Sequence, residues 1–216
     1  MKKRFLILLT CGAALSLLIM SGLSCVSCIF SRETPTTSHE LPTTGSEFQS
    51  YITPKCPWVV GTLQGILGEP PYEPSPVGFD DIRDWVASNI DYMPDEERWG
   101  EDYWQNPEET LSYYSGDCED FSVLLCSLLR AYGIDAERIY VALGVDDEED
   151  GHAFLIEDWY QDGEWRRIES QWHAQPSSWH LCFGLPTANP DSELDEYEIT
   201  AAFNDLYYYD ESFPWD

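Results

Sequence analysis

Apolar and polar positions alternate along this chain in three distinct ways. Residues 5–30 carry no charge at all, and follow Lys2, Lys3 and Arg4. Further on, apolar residues recur at helical spacing. Phe79, Ile82, Trp85, Val86 and Ile90 predict a helix over about 79–90. Phe121, Leu124, Leu125, Leu128, Leu129 and Tyr132 predict a second and stronger one. Asp117, after a Ser115-Gly116 turn, is its expected N-cap, and Gly133 its C-cap. Between the two, Asn106-Pro107-Glu108-Glu109 has the cap, first-turn Pro and third-position Glu of a short helix that ends near Tyr114. After Gly133 the period changes to two. Strands are predicted over 138–145, 152–160 and 165–170, joined by an acidic turn at 146–151 and a hairpin at Gln161-Asp162-Gly163-Glu164. Residues 93–103 read as loop. The pattern weakens beyond Pro176, and Tyr207, Tyr208 and Tyr209 are expected to pack back on the sheet.

These patterns divide the chain in three. Residues 1–30 have the basic head and apolar run of an export signal or membrane anchor. Such a run is long enough to span a bilayer, so three fates stand open: cleavage near Ser24, retention as an anchor, or lipidation at Cys25 in Gly22-Leu23-Ser24-Cys25. Residues 31–76 are rich in Ser, Thr and Pro and read as a flexible tether around a short apolar piece, 58–67. Residues 77–216 form the main domain, with α+β composition: helices first, then an antiparallel sheet. The expected location is extracytoplasmic, tethered or secreted, with the membrane engaged through the N-terminal segment only.

Charge narrows the partners. The chain has 40 acids and 11 Lys+Arg, a net charge of −29. Every acid lies at Glu33 or later. A protein so acidic repels phosphate backbones, which excludes nucleic acid as a partner, and it does not dock electrostatically on anionic lipid. A protein or peptide substrate remains. Oligomeric state is not legible.

Cys118 is the leading candidate for chemistry. It falls in the first turn of the predicted helix, where free N–H groups and the helix dipole favour a thiolate. Cys126, two turns later, reads as core. A thiol nucleophile needs a base. His152, opening a strand directly after a glycine, is placed to supply one; His173 and His180 are rivals, and His39 sits in the tether. Glu169, at the end of the next strand, is a diagonal neighbour of His152 reachable through a bulge, and would orient the imidazole. Asp158, six residues along the same strand, is about 20 Å away if extended.

The stretch WQNPEETLSYYSGDCEDFSVLLCSLLRAYGI, followed by GHAFLIEDWYQDGEWRRIES, resembles the transglutaminase-like superfamily. The likeness covers about residues 79–170: a Gly-Asp-Cys-acid-Asp turn into a Leu-rich helix, then Gly-His-Ala-aromatic, then a Gly-x-Trp hairpin ending in an acid. The resemblance implies a papain-like core with the nucleophile at a helix N-terminus. It also implies a Cys–His–acid triad, which falls on Cys118, His152 and Glu169. The third member is commonly Asp followed by Pro; here it is Glu169 followed by Ser170.

Other readings are weaker on particular residues. Cell-wall endopeptidases of the NlpC type use Asp-Cys-Ser-Gly, which Glu119-Asp120 does not fit. A calcium loop at 146–150 lacks the alternating spacing of an EF-hand, and no Cys pair suits zinc. Neither a metal nor a cofactor is expected. A Cys56–Cys182 disulfide suits an oxidising compartment. A non-catalytic peptide- or sugar-binding module is the remaining alternative, although Trp85, Trp159 and Trp165 read as packing residues. The expected function is an exported thiol hydrolase or acyltransferase acting on amide bonds. Hydrolysis is favoured over cross-linking, since nothing in the sequence keeps water from an acyl-enzyme. The Cys118 backbone N–H is the expected oxyanion donor, with Trp104 or Gln105 sought as the second.

Overall fold

A computed structural model describes residues 41–147, 149–171 and 197–210. The charge-free run, His173, His180 and Cys182 lie outside the described residues. Among those described, no helix is long and apolar enough to cross a membrane.

The central element is helix α6, Cys118–Tyr132, which almost disappears into the protein. Phe121, Val123, Leu124, Leu125, Leu128 and Leu129 are all buried. Each fully buried Leu or Phe contributes about 1.5–3 kcal/mol of transfer free energy, so this helix is the natural anchor for everything else. Gly133 ends it in the left-handed region (φ 108°), as its C-cap role requires. Three helices pack against it: α2 (Pro57–Leu67), α3 (Pro76–Asn89) and α5 (Pro107–Tyr113). The Asn106 cap of α5 forms as expected, its side chain accepting from Glu109 N–H while the Glu109 carboxylate returns to Asn106 N–H. Within the predicted loop, a four-residue helix, α4 (Asp95–Arg98), turns the chain.

Part of the stretch read as tether is built into this body. Residues Gly45–Tyr51 form α1, with a Thr44–Glu47 capping box, and α2 buries Val59 and Leu63 against α6. Phe48 of α1 meets Trp104, Phe203 and Tyr208 at ring separations of 5.4, 5.2 and 5.7 Å. Ser/Thr/Pro composition describes the average of the stretch. The few apolar residues that matter, Phe48, Tyr51, Val59 and Leu63, find partners far away in sequence.

The opposite side of α6 packs on a five-stranded antiparallel sheet. Its strands are β3 (Ile139–Val145), β4 (Gly151–Glu157), β5 (Arg166–Ile168), β6 (Glu198–Phe203) and β7 (Tyr208–Tyr209), in the order β5-β4-β3-β6-β7. The three predicted strands are present. Strand β6 was not predicted, because its inward face is Ala201 and Phe203 with Ala202 behind, a weak periodic signal. The Tyr-rich end packs back as expected, Tyr208 and Tyr209 pairing with Phe203 and Ala202. A separate two-residue parallel pair, β1 (Asp91–Tyr92) with β2 (Ser115–Gly116), holds the turn that leads into α6.

One side chain ties the far end of α6 to the start of α3. The Tyr132 hydroxyl donates to Glu73 C=O at 3.0 Å and accepts from Ser75 N–H at 3.1 Å. Gly78 lies so close that a Cβ there would collide with this phenol. We predict that Tyr132→Phe costs about 1–3 kcal/mol, since two part-buried hydrogen bonds are lost at about 0.5–1.5 kcal/mol each. Gly78→Ala should also destabilise, but less in the Tyr132→Phe background, where the collision is partly relieved. Thermal unfolding of the four-member cycle measures this; strictly additive losses would contradict the contact.

Candidate functional site

The site is assembled by a forced turn. Tyr114, the C-cap of α5, sits in the left-handed region (φ 53°) and reverses the chain. The β1–β2 pair then carries it to Asp117. Asp120 folds back under this turn. Its carboxylate accepts from Gln105 N–H at 2.7 Å, from the Gln105 side-chain amide, and from Asp117 N–H at 3.4 Å. A Cβ on Gly116 would lie 2.5 Å from that carboxylate, so only glycine admits the approach. Cys118 is thereby placed at the first position of α6, where the sequence puts it.

The thiol is not depressed in the way the helix terminus suggests. Burial, then the neighbouring Glu119, push it well above the usual range, with Asp117 adding to the effect; a hydrogen bond from Ala153 N–H works the other way. Its side-chain hydrogen bond goes to the Glu119 carboxylate at 3.4 Å. The physical reason is plain. A half-charge at a helix end is set against desolvation and two flanking carboxylates.

His152 stands at the start of β4, its ring centroid 5.8 Å from Phe154 and 5.5 Å from Tyr197. Its Nε2 lies 3.0 Å from Glu169 Oε2. The other oxygen of Glu169 faces Arg167 Nε at 3.1 Å, and both side chains of that ion pair are largely buried. The sheet explains the His–Glu meeting without a bulge. Leu155 pairs with Ile168 and Ile156 with Arg167. Continuing that register sets residue 169 opposite 154, on the same face as residue 152 and diagonal to it. The expected register was one residue out, and the correct one makes the contact easier. Asp158 has another job: its carboxylate accepts from Asp162 and Gly163 N–H at 3.1 Å each and closes the hairpin loop.

The Ala153 peptide joins the two halves, since its N–H reaches the Cys118 sulfur. Trp104 and Gln105 are not free for an oxyanion. Trp104 is buried among Phe48, Tyr51 and Phe203, and the Gln105 amide donates to Ser115 C=O and Asp120. Residues that sequence reasoning missed include Arg167, Tyr197 and Ser122. Arg167 had a signal, being two residues from Glu169 on one strand face. Tyr197 had none.

Among the described residues, acidic side chains converge here. One carboxylate oxygen each from Asp95, Asp117, Glu119 and Asp120 lie within 4.8 Å of one another. Burial raises Asp95 to about 6 and Asp120 to about 8, and it raises Glu119 further, with Asp117 beside it. Asp117 Oδ1 and Glu119 Oε1 are buried with no donor facing them. Carboxylates so placed need protons or a cation between them, and an all-oxygen set suits a hard cation such as calcium. In the 146–150 loop, Asp146 instead accepts from Asp150 N–H at 2.9 Å and closes a turn. On the other side, Trp58, Trp85 and Tyr114 line an open groove of about 380 Å³. Trp85 is thus partly a groove residue, while Trp159 and Trp165 pack on Phe79 and Tyr140 as expected.

Comparison with known proteins bears on the fold. No curated protein matches the sequence. Residues 71–170 match the family described as Transglutaminase-like superfamily. Among solved structures, Legionella pneumophila LapG in an EGTA-treated form is similar with a TM-score of 0.51 and 16% identity, covering 79% of this chain and 80% of that one. A second structure of Legionella pneumophila LapG gives 0.50 and 16%, covering 78% and 81%. At such identity the likeness is one of fold. The helix that carries Cys118, the strand that carries His152 and the hairpin that ends in Glu169 all fall within the segment that matches the transglutaminase-like superfamily.

Proposed function

We propose that this protein is an exported thiol hydrolase, a peptidase or amidase, that cleaves amide bonds through Cys118, His152 and Glu169. The observation that carries the reading is the 3.0 Å His152–Glu169 pair, set on the strand whose next peptide N–H reaches the Cys118 sulfur. Glu169 at Nε2 leaves Nδ1 of the imidazole to serve the thiol. Arg167 holds the other Glu169 oxygen, so the carboxylate is fixed at both ends.

The chemistry then runs in two halves. His152 takes the thiol proton, and the Cys118 sulfur attacks the amide carbonyl. The negative oxygen faces the Cys118 backbone N–H. Collapse breaks the C–N bond, and the amine leaves with the proton from the imidazolium. In the second half His152 deprotonates water, which attacks the thioester and releases a carboxylic acid and the thiol. An amine in place of water would give transfer instead. Exposed Tyr92 lies close enough to feel the Cys118 charge, which brings water to this edge of the site and favours hydrolysis. Export follows from residues 1–30, which combine a basic head with a charge-free run.

The raised thiol sets a condition on this chemistry. Without a counter-charge Glu119 holds its proton, and ionised carboxylates at this position would disfavour the thiolate. We infer that Asp117, Glu119, Asp120 and Asp95 would hold a hard divalent cation, whose charge would offset that of these carboxylates beside the Cys118 thiol. A non-catalytic binding module is the second reading, favoured by the Trp58–Trp85 groove alone.

Two predictions test the proposal. Cys118→Ala should abolish cleavage of a peptide library. Glu169→Gln should lower kcat by about 10²–10⁴-fold, through loss of the group that orients the imidazole, and should also lower thermal stability, since the largely buried Arg167 loses its counter-charge. Full activity in Cys118→Ala would leave only the binding reading. The second concerns pH. Carboxyls raised in the folded state hold protons that the unfolded chain has released above about 4. Stability of the cation-free protein should therefore fall as pH rises from about 4 through about 8, the value for Asp120. Millimolar calcium should remove most of this slope; a slope unchanged by calcium, with no heat of binding, contradicts the cation site.

A further inference from the structure

Two buried hydroxyls lie where the three proposed catalytic segments meet, and neither is used by the chemistry above. Ser122, one turn along α6 from Cys118, is fully buried. Its Oγ lies 2.8 Å from Cys118 C=O, 3.1 Å from Ala153 C=O and 3.0 Å from Ser170 Oγ. Ser170 directly follows Glu169 and is also buried. One hydroxyl pair thus touches the residue bearing the sulfur, the residue after the imidazole and the residue after the carboxylate.

The proton count limits the arrangement. Each serine has one proton to donate. Two carbonyls converge on Ser122, which donates to them. Ser122 must then accept from Ser170, whose single proton is thereby committed. The Ala153 peptide is gripped at both ends by α6: its N–H reaches the Cys118 sulfur and its C=O meets Ser122. Nothing apolar of the same size can replace that grip, because a Cβ-only side chain takes this donor from the Ala153 carbonyl, whereas Cys118 C=O keeps the Ser122 N–H of the helix.

We propose that the Ser122–Ser170 hydroxyl pair is the positioning device that sets the spacing of Cys118, His152 and Glu169. The proposal rests on the thiol–imidazole reading given above. It assigns the pair no contact with substrate. Its effect is on geometry, and displacement of a reacting group by as little as 1 Å can lower a rate about 10²-fold.

The control lies on the same helix. Ser127 is equally buried, and its Oγ accepts from Thr53 N–H at 3.0 Å, in the segment between α1 and α2. The test is the rate of iodoacetamide alkylation of Cys118 in the full-length chain with calcium present, followed by peptide mass spectrometry between pH 5 and 9. Thermal stability is measured alongside. Ser122→Ala and Ser170→Ala should each lower the neutral-pH rate at least about tenfold, toward that of His152→Ala, and the double variant should fall no further than either single one. Ser127→Ala should lose comparable stability and keep the wild-type profile. Wild-type profiles in both Ser122→Ala and Ser170→Ala overturn the proposal while leaving the enzyme reading intact. An equal loss in Ser127→Ala also overturns it, as the effect would then be general loosening of α6. A wild-type profile in His152→Ala removes the thiol–imidazole reading itself, and the positioning role with it.

Discussion

The Ala153 peptide is held by the first turn of α6 at both of its polar ends, N–H to the Cys118 sulfur and C=O to Ser122 at 3.1 Å. Helix and strand cannot slide past one another without breaking both contacts. Because His152 precedes Ala153 in the strand, the imidazole's position relative to the sulfur is fixed by backbone rather than by side-chain choice. The apolar mass of α6 makes this possible. Buried Leu124, Leu125 and Leu128 hold the helix against the sheet, and the polar contacts then set its axial position.

The same junction carries an electrostatic tension. Helix starts favour anions, and the chain places three carboxylates and a thiol at one start. Asp120 is well served by Gln105. Asp117 and Glu119 are not, each having a buried oxygen without a donor. Burial and those neighbours raise the Cys118 thiol instead of lowering it. The acids that make the motif recognisable therefore oppose the ionisation that the mechanism needs. On the proposed reading, a cation between them would reconcile the two and make activity conditional on the ionic surroundings.

Much of this was legible in the sequence, and the reasons differ by element. Helix α6 announced itself because periodicity, N-cap and C-cap all agree on the same bounds. The hairpin and the His152–Glu169 meeting followed from strand period, although the register was one residue out. Helix α1 and strand β6 were not legible. Phe48 and Phe203 earn their places through each other, at 5.2 Å across the fold, and no local pattern encodes such a pair. The Cys118 environment was misjudged for a similar reason. The sequence shows the helix terminus, while the burial that outweighs it and the arrival of Asp95 depend on the tertiary fold.

The central claim is that Cys118 forms the covalent intermediate with His152 as its base. Acid-quenched intact-mass and peptide mass spectrometry after mixing with a peptide p-nitroanilide, calcium present, tests it most directly. The account predicts an acyl group on Cys118, sensitive to hydroxylamine and absent in His152→Ala. Acylation at another residue, or an adduct on Cys118 that persists undiminished in His152→Ala, would contradict it.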